Sequence, residues 1–137
     1  MGLFLGGCTQ SFFYNRLDTL FNWYVDDYVE LNKVQQENFD VRLDAILEWH
    51  RKVELPRYVN FLTQIETDIN QTVDGEILDA WINQALNAYE LVENEMTQLF
   101  LSTGDELTQE QVDLFIDNLW KKHEDNKEKY LSRSNNE

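Results

Sequence analysis

The sequence predicts an all-α fold, about five helices in an antiparallel bundle or an array of helical hairpins, and three observations support it. Apolar residues recur at spacings of three and four rather than two along most of the 137-residue chain. Only 5 glycines and 1 proline interrupt that period. The interruptions themselves carry helix-start and helix-stop chemistry.

A first helix is expected over residues 12–29, with Phe13, Leu17, Leu20, Phe21, Tyr24 and Tyr28 along one stripe. A second spans 33–53 and turns Phe39, Leu43, Ile46, Leu47 and His50 inward. Pro56 suits the first turn of a third helix, where its missing N–H costs nothing, and Tyr58, Leu62, Ile65 and Ile69 continue the apolar face. Asp74 opens a long fourth helix that carries Leu78, Trp81, Ile82, Ala85, Tyr89, Val92, Met96 and Leu99. Gly104 closes it in the manner of a left-handed cap. Thr108 then starts a fifth helix with Gln111 three residues on, the spacing of a capping box, and with Val112, Phe115, Ile116, Leu119 and His123 on its stripe. Beyond Trp120 the chain is almost wholly charged to Tyr130, so this helix is expected to project into solvent or continue into a further element. Phe39, Leu43, Trp81, Ile82, Phe115 and Leu119 are the expected core.

Length limits the organisation to a helical domain over residues 12–131, preceded by a short segment, 1–11, and followed by 132–137, a disordered tail or truncation point. In the first segment Leu5-Gly6-Gly7-Cys8 reads as a bacterial lipobox, an apolar run ending in small residues and a cysteine. Cys8 is then the lipidation site, and fatty chains such as palmitate tie the protein to a membrane without a spanning helix. Only seven residues precede Cys8, fewer than a basic n-region and a full apolar h-region need, so the signal peptide is read as truncated. The plainer alternative is a stub with an incidental cysteine. N-myristoylation is excluded because Gly6 stands where Ser or Thr is required. Thr9 after Cys8, rather than aspartate, points to the periplasmic face of a Gram-negative outer membrane. No apolar run approaches the roughly 20 residues of a membrane span, and a lone cysteine forms no internal disulfide.

Charge is distributed unevenly. Residues 1–56 hold 9 acids and 5 bases, 57–107 hold 10 and 1, and 108–137 hold 7 and 5. An acidic middle repels phosphate backbones and anionic head groups, which excludes nucleic acid as a partner and leaves basic proteins or loosely held cations. The bland reading of the same acids is a solvated face.

Two helix starts resemble each other. Leu31-Asn32-x-x-Gln35-x-x-x-Phe39-x-x-x-Leu43 matches Leu107-Thr108-x-x-Gln111-x-x-x-Phe115-x-x-x-Leu119 at a separation of 76 residues. Leucine staples the turn, Asn or Thr caps it, Gln completes the box, and Phe and Leu face inward. Leu-Thr-x-x-Gln at Leu107 to Gln111 is also similar to the mark of Spy- and CpxP-type periplasmic chaperones, small all-helical exported proteins.

Residues 14–58 carry a broader resemblance. Tyr14-Asn15-Arg16-Leu17-Asp18, Trp23-Tyr24-Val25-Asp26-Asp27-Tyr28, Leu31, Gln35, Arg42-Leu43, Trp49-His50-Arg51 and Glu54-Leu55-Pro56-Arg57-Tyr58 resemble an uncharacterised proteobacterial lipoprotein family, a domain of unknown function whose members carry a lipobox just ahead of this block. The resemblance implies an envelope lipoprotein built as a helical array, longer at its C-terminus than this chain, and implies no activity.

Asp26, Asp27, Arg42, Trp49, His50, Arg51 and Tyr58 are the candidate partner-binding or structural residues. Asp26 and Asp27 point about 100° apart on a helix and form no dyad by themselves. His50 lies on an apolar stripe and could hydrogen-bond to Asp26 or Asp27 across an antiparallel pair, an arrangement found at catalytic sites and, more often, in ordinary cores. His50 and His123 have no close-spaced second ligand, so no metal or other cofactor is expected. A nucleophile elbow and a glycine-rich phosphate loop are both missing, and no enzyme is expected. Two roles remain: a lipid-anchored interaction or scaffold module for an unknown envelope protein, and an ATP-independent periplasmic chaperone.

Overall fold

A computed structural model describes residues 16–134. The lipobox and Cys8 lie outside the described residues, as does the expected helix start at residue 12. The described chain is all-α and contains no strand. Its elements are α1 (Leu17–Asp26), α2 (Lys33–Trp49), a π turn (His50–Glu54), α3 (Leu55–Asp68), α4 (Gly75–Gly104) and α5 (Gln109–Ser134). The α2, π and α3 segments follow one another without a break, so the described residues form four helical rods rather than the expected five.

Proline explains the difference. In a regular α-helix Pro56 would leave the carbonyl of Lys52 without its donor and press its ring against that group. The chain absorbs this by widening one turn, with the N–H of Leu55 donating to the carbonyl of His50, five residues back. Pro56 then sits in the first turn of α3, as its chemistry favours, while the rod runs on.

Contacts divide the chain into two compact units, Met1–Asn38 with Gly104–Glu137, and Phe39–Thr103. In the first, the terminal unit, both predicted capping boxes are present. The side chain of Asn32 accepts from the N–H groups of Val34 and Gln35 at 3.0 and 3.1 Å, and that of Gln35 accepts from the N–H of Asn32 at 2.9 Å. Thr108 and Gln111 repeat the exchange at 3.3 and 2.9 Å.

The two boxes also join to each other. Gln35 Nε2 donates to Gln111 Oε1 at 3.0 Å, and Gln111 Nε2 donates back to Gln35 Oε1 at 2.8 Å. The remaining amide protons go to the carbonyls of Glu106 and Glu30, at 2.6 and 2.8 Å. Glu30 and Glu106 are themselves equivalent positions of the repeat, so the exchange has local two-fold symmetry. Around it Val25, Val29 and Gln35 are buried, Tyr28 packs on Phe115 with ring centroids 5.8 Å apart, and Asn118 donates to the carbonyl of Tyr28 at 2.9 Å.

The first helix ends at Asp26 instead of continuing to 29. Tyr28 and Val29 still donate to the carbonyl of Val25, at 2.9 and 3.0 Å, which closes the last turn. Leu20 and Tyr24, expected inside, are exposed.

In the middle unit, Phe39–Thr103, Phe39 and Leu43 are 0% exposed and Leu99 is buried beside them in rank. Asp74 caps α4 as expected, accepting from the N–H of Ile77 at 3.0 Å. Trp81 is half-buried and donates its indole N–H to Asp68 at 3.0 Å, tying the end of α3 to the start of α4.

Three other expectations are corrected. Gly104 is the last residue of α4, and no described glycine has positive φ, so the left-handed cap does not form. The turn is closed instead by the N–H of Leu107 on the carbonyl of Gly104 at 3.1 Å. Ile82, Phe115 and Leu119 are exposed rather than buried. The charged end of α5 is not purely solvated, since Lys122 pairs with Asp27 and lies 4.4 Å over the ring of Tyr28.

Candidate functional site

The π turn gathers four of the seven candidate residues. Trp49, His50 and Arg51 enter it, and Tyr58 lies two turns on. The His50 ring meets that of Tyr58 edge-on at 5.6 Å and lies 6.4 Å from that of Trp49. Arg51 is exposed, and Arg42, earlier on α2, is half-buried. A wide turn of this kind re-aims side chains that a regular helix would space evenly, and such turns are frequent at functional positions.

Asp26 and Asp27 belong to the terminal unit. Asp26 is exposed, and Asp27 follows the last turn of α1 and pairs with Lys122. Nearby, the Tyr28 hydroxyl lies 3.5 Å from that of Tyr24, and this hydrogen bond, followed by burial, holds the Tyr24 phenol above its usual value. Within the terminal unit Asp27 has a lysine partner, and within the middle unit His50 has aromatic neighbours.

The π turn also positions two residues of the Glu54-Leu55-Pro56-Arg57-Tyr58 block that were not among the candidates. Glu54, its last residue, is 1% exposed and accepts from Arg57 Nη1 at 2.8 Å, while Arg57 itself is largely solvated. Burying a carboxylate is costly unless a cation and hydrogen bonds compensate it, and the i, i+3 spacing across the turn supplies that cation. Burial, and secondly the charge of Glu54, push the Tyr58 phenol upward. Glu54, Arg57 and Tyr58 line an open cleft of about 390 Å³ between the start of α3 and the middle of α4, together with Phe61, Gln84 and Asn87. Carboxamides and a phenol suit hydrogen bonding to a neutral polar group, and the Phe61 ring offers an apolar wall. Among the described residues, no three His, Cys, Asp or Glu side chains are grouped to hold a metal.

The second feature of the middle unit is an uncovered apolar stripe on α4. Leu78, Ile82, Leu86 and Tyr89 follow one another at spacings of four, four and three, and their exposures run from 47% to 64%. Residues so spaced share one helix face. Of these, Ile82 was expected in the core, Leu78 and Tyr89 were read on the apolar stripe of this helix, and Leu86 was not singled out. Val59 and Leu62 of α3, and Ile69 just after it, are exposed as well.

These features define an all-α protein with an apolar helix face, an open cleft of mixed polarity beside a π turn, and no described helix long and apolar enough to cross a membrane. The chain belongs to a family of unknown function, DUF6279, whose model matches residues 27–136. The match spans α2 to α5, including the Trp49-His50-Arg51 segment and the π turn. No curated protein and no solved structure matches the chain.

Proposed function

We propose that this protein is a lipid-anchored envelope lipoprotein that serves as a protein-interaction or scaffold module on the periplasmic face of the outer membrane. The exposed stripe Leu78, Ile82, Leu86 and Tyr89 carries the interaction half of this reading, because four large apolar side chains in register on one helix stay in water at a steady free-energy cost unless something covers them. The Leu5 to Cys8 lipobox carries the anchoring half.

Both halves can be tested in one strain with a complete signal sequence supplied upstream. Cys8→Ser should release the protein into the soluble periplasmic fraction, since acyl chains contribute about 0.8 kcal/mol per buried methylene. A Ser variant that still sediments with membranes, with no acyl mass on the wild type, rejects the anchor. Envelope pull-downs with wild type and Ile82→Asp should differ in one reproducible partner. Identical pull-downs reject the interaction surface.

A chaperone role is the second reading, favoured by the spread of exposed apolar residues onto the terminal unit, where Trp23, Tyr24, Leu119 and Trp120 are uncovered. A holdase suppresses aggregation of several unrelated clients at near-stoichiometric ratio; a dedicated scaffold does not.

A further inference from the structure

We infer that the α4 stripe docks a cationic amphipathic helix of a partner protein; the inference rests on the interaction reading above and names the chemistry of its partner. Leu78, Ile82, Leu86 and Tyr89 cover three turns, about 16 Å along the axis, which matches the apolar stripe of a docked helix. At 100° per residue, Asp79 and Glu90 fall along one edge of that stripe, and Glu93 lies in line with it one turn beyond Tyr89. None of these three carboxylates has a basic partner among the described residues.

Their surroundings do not supply one either. From Tyr58 to Leu107 the sequence contains no lysine or arginine, so α3 beyond its first turn and the whole of α4 present carboxylates alone. An apolar seam with uncompensated acids on its border is complementary to a helix that carries Leu or Ile on one face and Lys or Arg beside it. A second copy of this chain is a poor occupant, because a net charge of −15 would bring carboxylates against carboxylates at the same seam. An anionic lipid surface is disfavoured on the same ground.

The probe is a fluorescein-labelled 18-residue peptide of leucine and lysine only, with leucine on one helix face, titrated against the full chain by anisotropy. Three companions control it: the same peptide with glutamate for lysine, a permuted sequence of equal composition with no apolar face, and the first peptide at raised salt. The amphipathic cationic peptide should bind, weaken with salt, and exceed both other sequences by at least about tenfold. Ile82→Asp should reduce its affinity by at least about tenfold even though it adds negative charge, and the Glu90→Lys, Glu93→Lys pair should weaken it and flatten the salt dependence. Leu119→Asp, on α5, should leave binding unchanged, and circular dichroism of each variant checks that helix content is kept.

Equal affinity for the permuted or anionic peptide, indifference to Ile82→Asp, or an equal loss on Leu119→Asp overturns the inference. If no peptide binds while Ile82→Asp still abolishes partner capture from the envelope, the interaction surface stands and the cationic-helix partner is wrong. If neither responds to Ile82→Asp, both fall.

Discussion

The two copies of the Leu-Asn/Thr-x-x-Gln repeat begin alike and end differently. Their caps share the same reciprocal box, Asn32 accepting one N–H more than Thr108, and their glutamines bond to each other as equals. Four and eight residues on, the likeness stops: Phe39 and Leu43 are 0% exposed, whereas Phe115 is 37% and Leu119 46% exposed. A capping box needs only the four residues that form it, so it forms wherever they occur. Burial needs a second surface, and the residues of the repeat do not encode whether one exists. The comparison separates what is local in this fold from what is not.

The largest effect that sharpens the comparison is at its apolar positions. Phe39→Ala should cost about 3 to 5 kcal/mol of unfolding free energy, the usual range for emptying a fully buried aromatic site. The equivalent change in the other copy, Phe115→Ala, should cost less than half as much, because the ring is already partly in water. Denaturant unfolding followed by far-UV circular dichroism measures both; equal losses would mean that the copies are buried alike and break the comparison.

The caps should show the reverse pattern, with equivalence between copies. Gln35→Ala or Gln111→Ala removes a carbonyl and an amide from a closed exchange and should cost about 1 to 3 kcal/mol, with the higher value at buried Gln35. Because the two side chains satisfy each other, the double variant should be less destabilised than the sum of the singles by about 0.5 kcal/mol or more. Strict additivity would show that the glutamines are not coupled.

A smaller effect compares the units through their tyrosines. Tyr58 in the middle unit and Tyr24 in the terminal unit both hold their phenol proton beyond the ordinary value of 10.0, the first through burial and the second through its hydrogen bond with Tyr28. The folded chain therefore binds more protons than the unfolded chain above pH 10.0, and the stability these groups lend is complete below that value and lost as pH rises through the folded-state value. Tyr58→Phe and Tyr24→Phe should each flatten the alkaline fall in thermal midpoint. An unchanged alkaline slope in both variants would contradict the assignment.

Much of the fold was legible in the sequence because it rests on short-range chemistry. The all-α class came from spacing, the starts of α2, α4 and α5 from Asn32, Asp74 and Thr108, and the glutamine exchange was foreshadowed by a 76-residue repeat, though not its reciprocal geometry. Pro56 was legible as a perturbation but read as a break, since nothing local distinguishes a new helix from a π turn that lets the old one continue. The burial of Glu54 was not legible for the reason Phe115 misled: burial depends on what packs over a residue. The apolar stripe read on α4 took in Leu78, Ile82 and Tyr89 together with Leu99 and left out Leu86, and the sequence could not say that the first three face water while Leu99 is buried. At the candidate site, Trp49, His50 and Tyr58 were found together, while Asp26 and Asp27 belong elsewhere.

That outward face is the central claim, and site-specific photo-crosslinking in the envelope tests it most directly. A photoreactive residue placed at Ile82 or Leu86, on the stripe, is compared with one at Gln84, on the side of α4 that lines the cleft. One discrete crosslinked partner is expected from Ile82 and Leu86, attached through a helical segment of net positive charge, and a much weaker product from Gln84. Equal crosslinking from all three positions, or a smear of many clients from each, would contradict that claim.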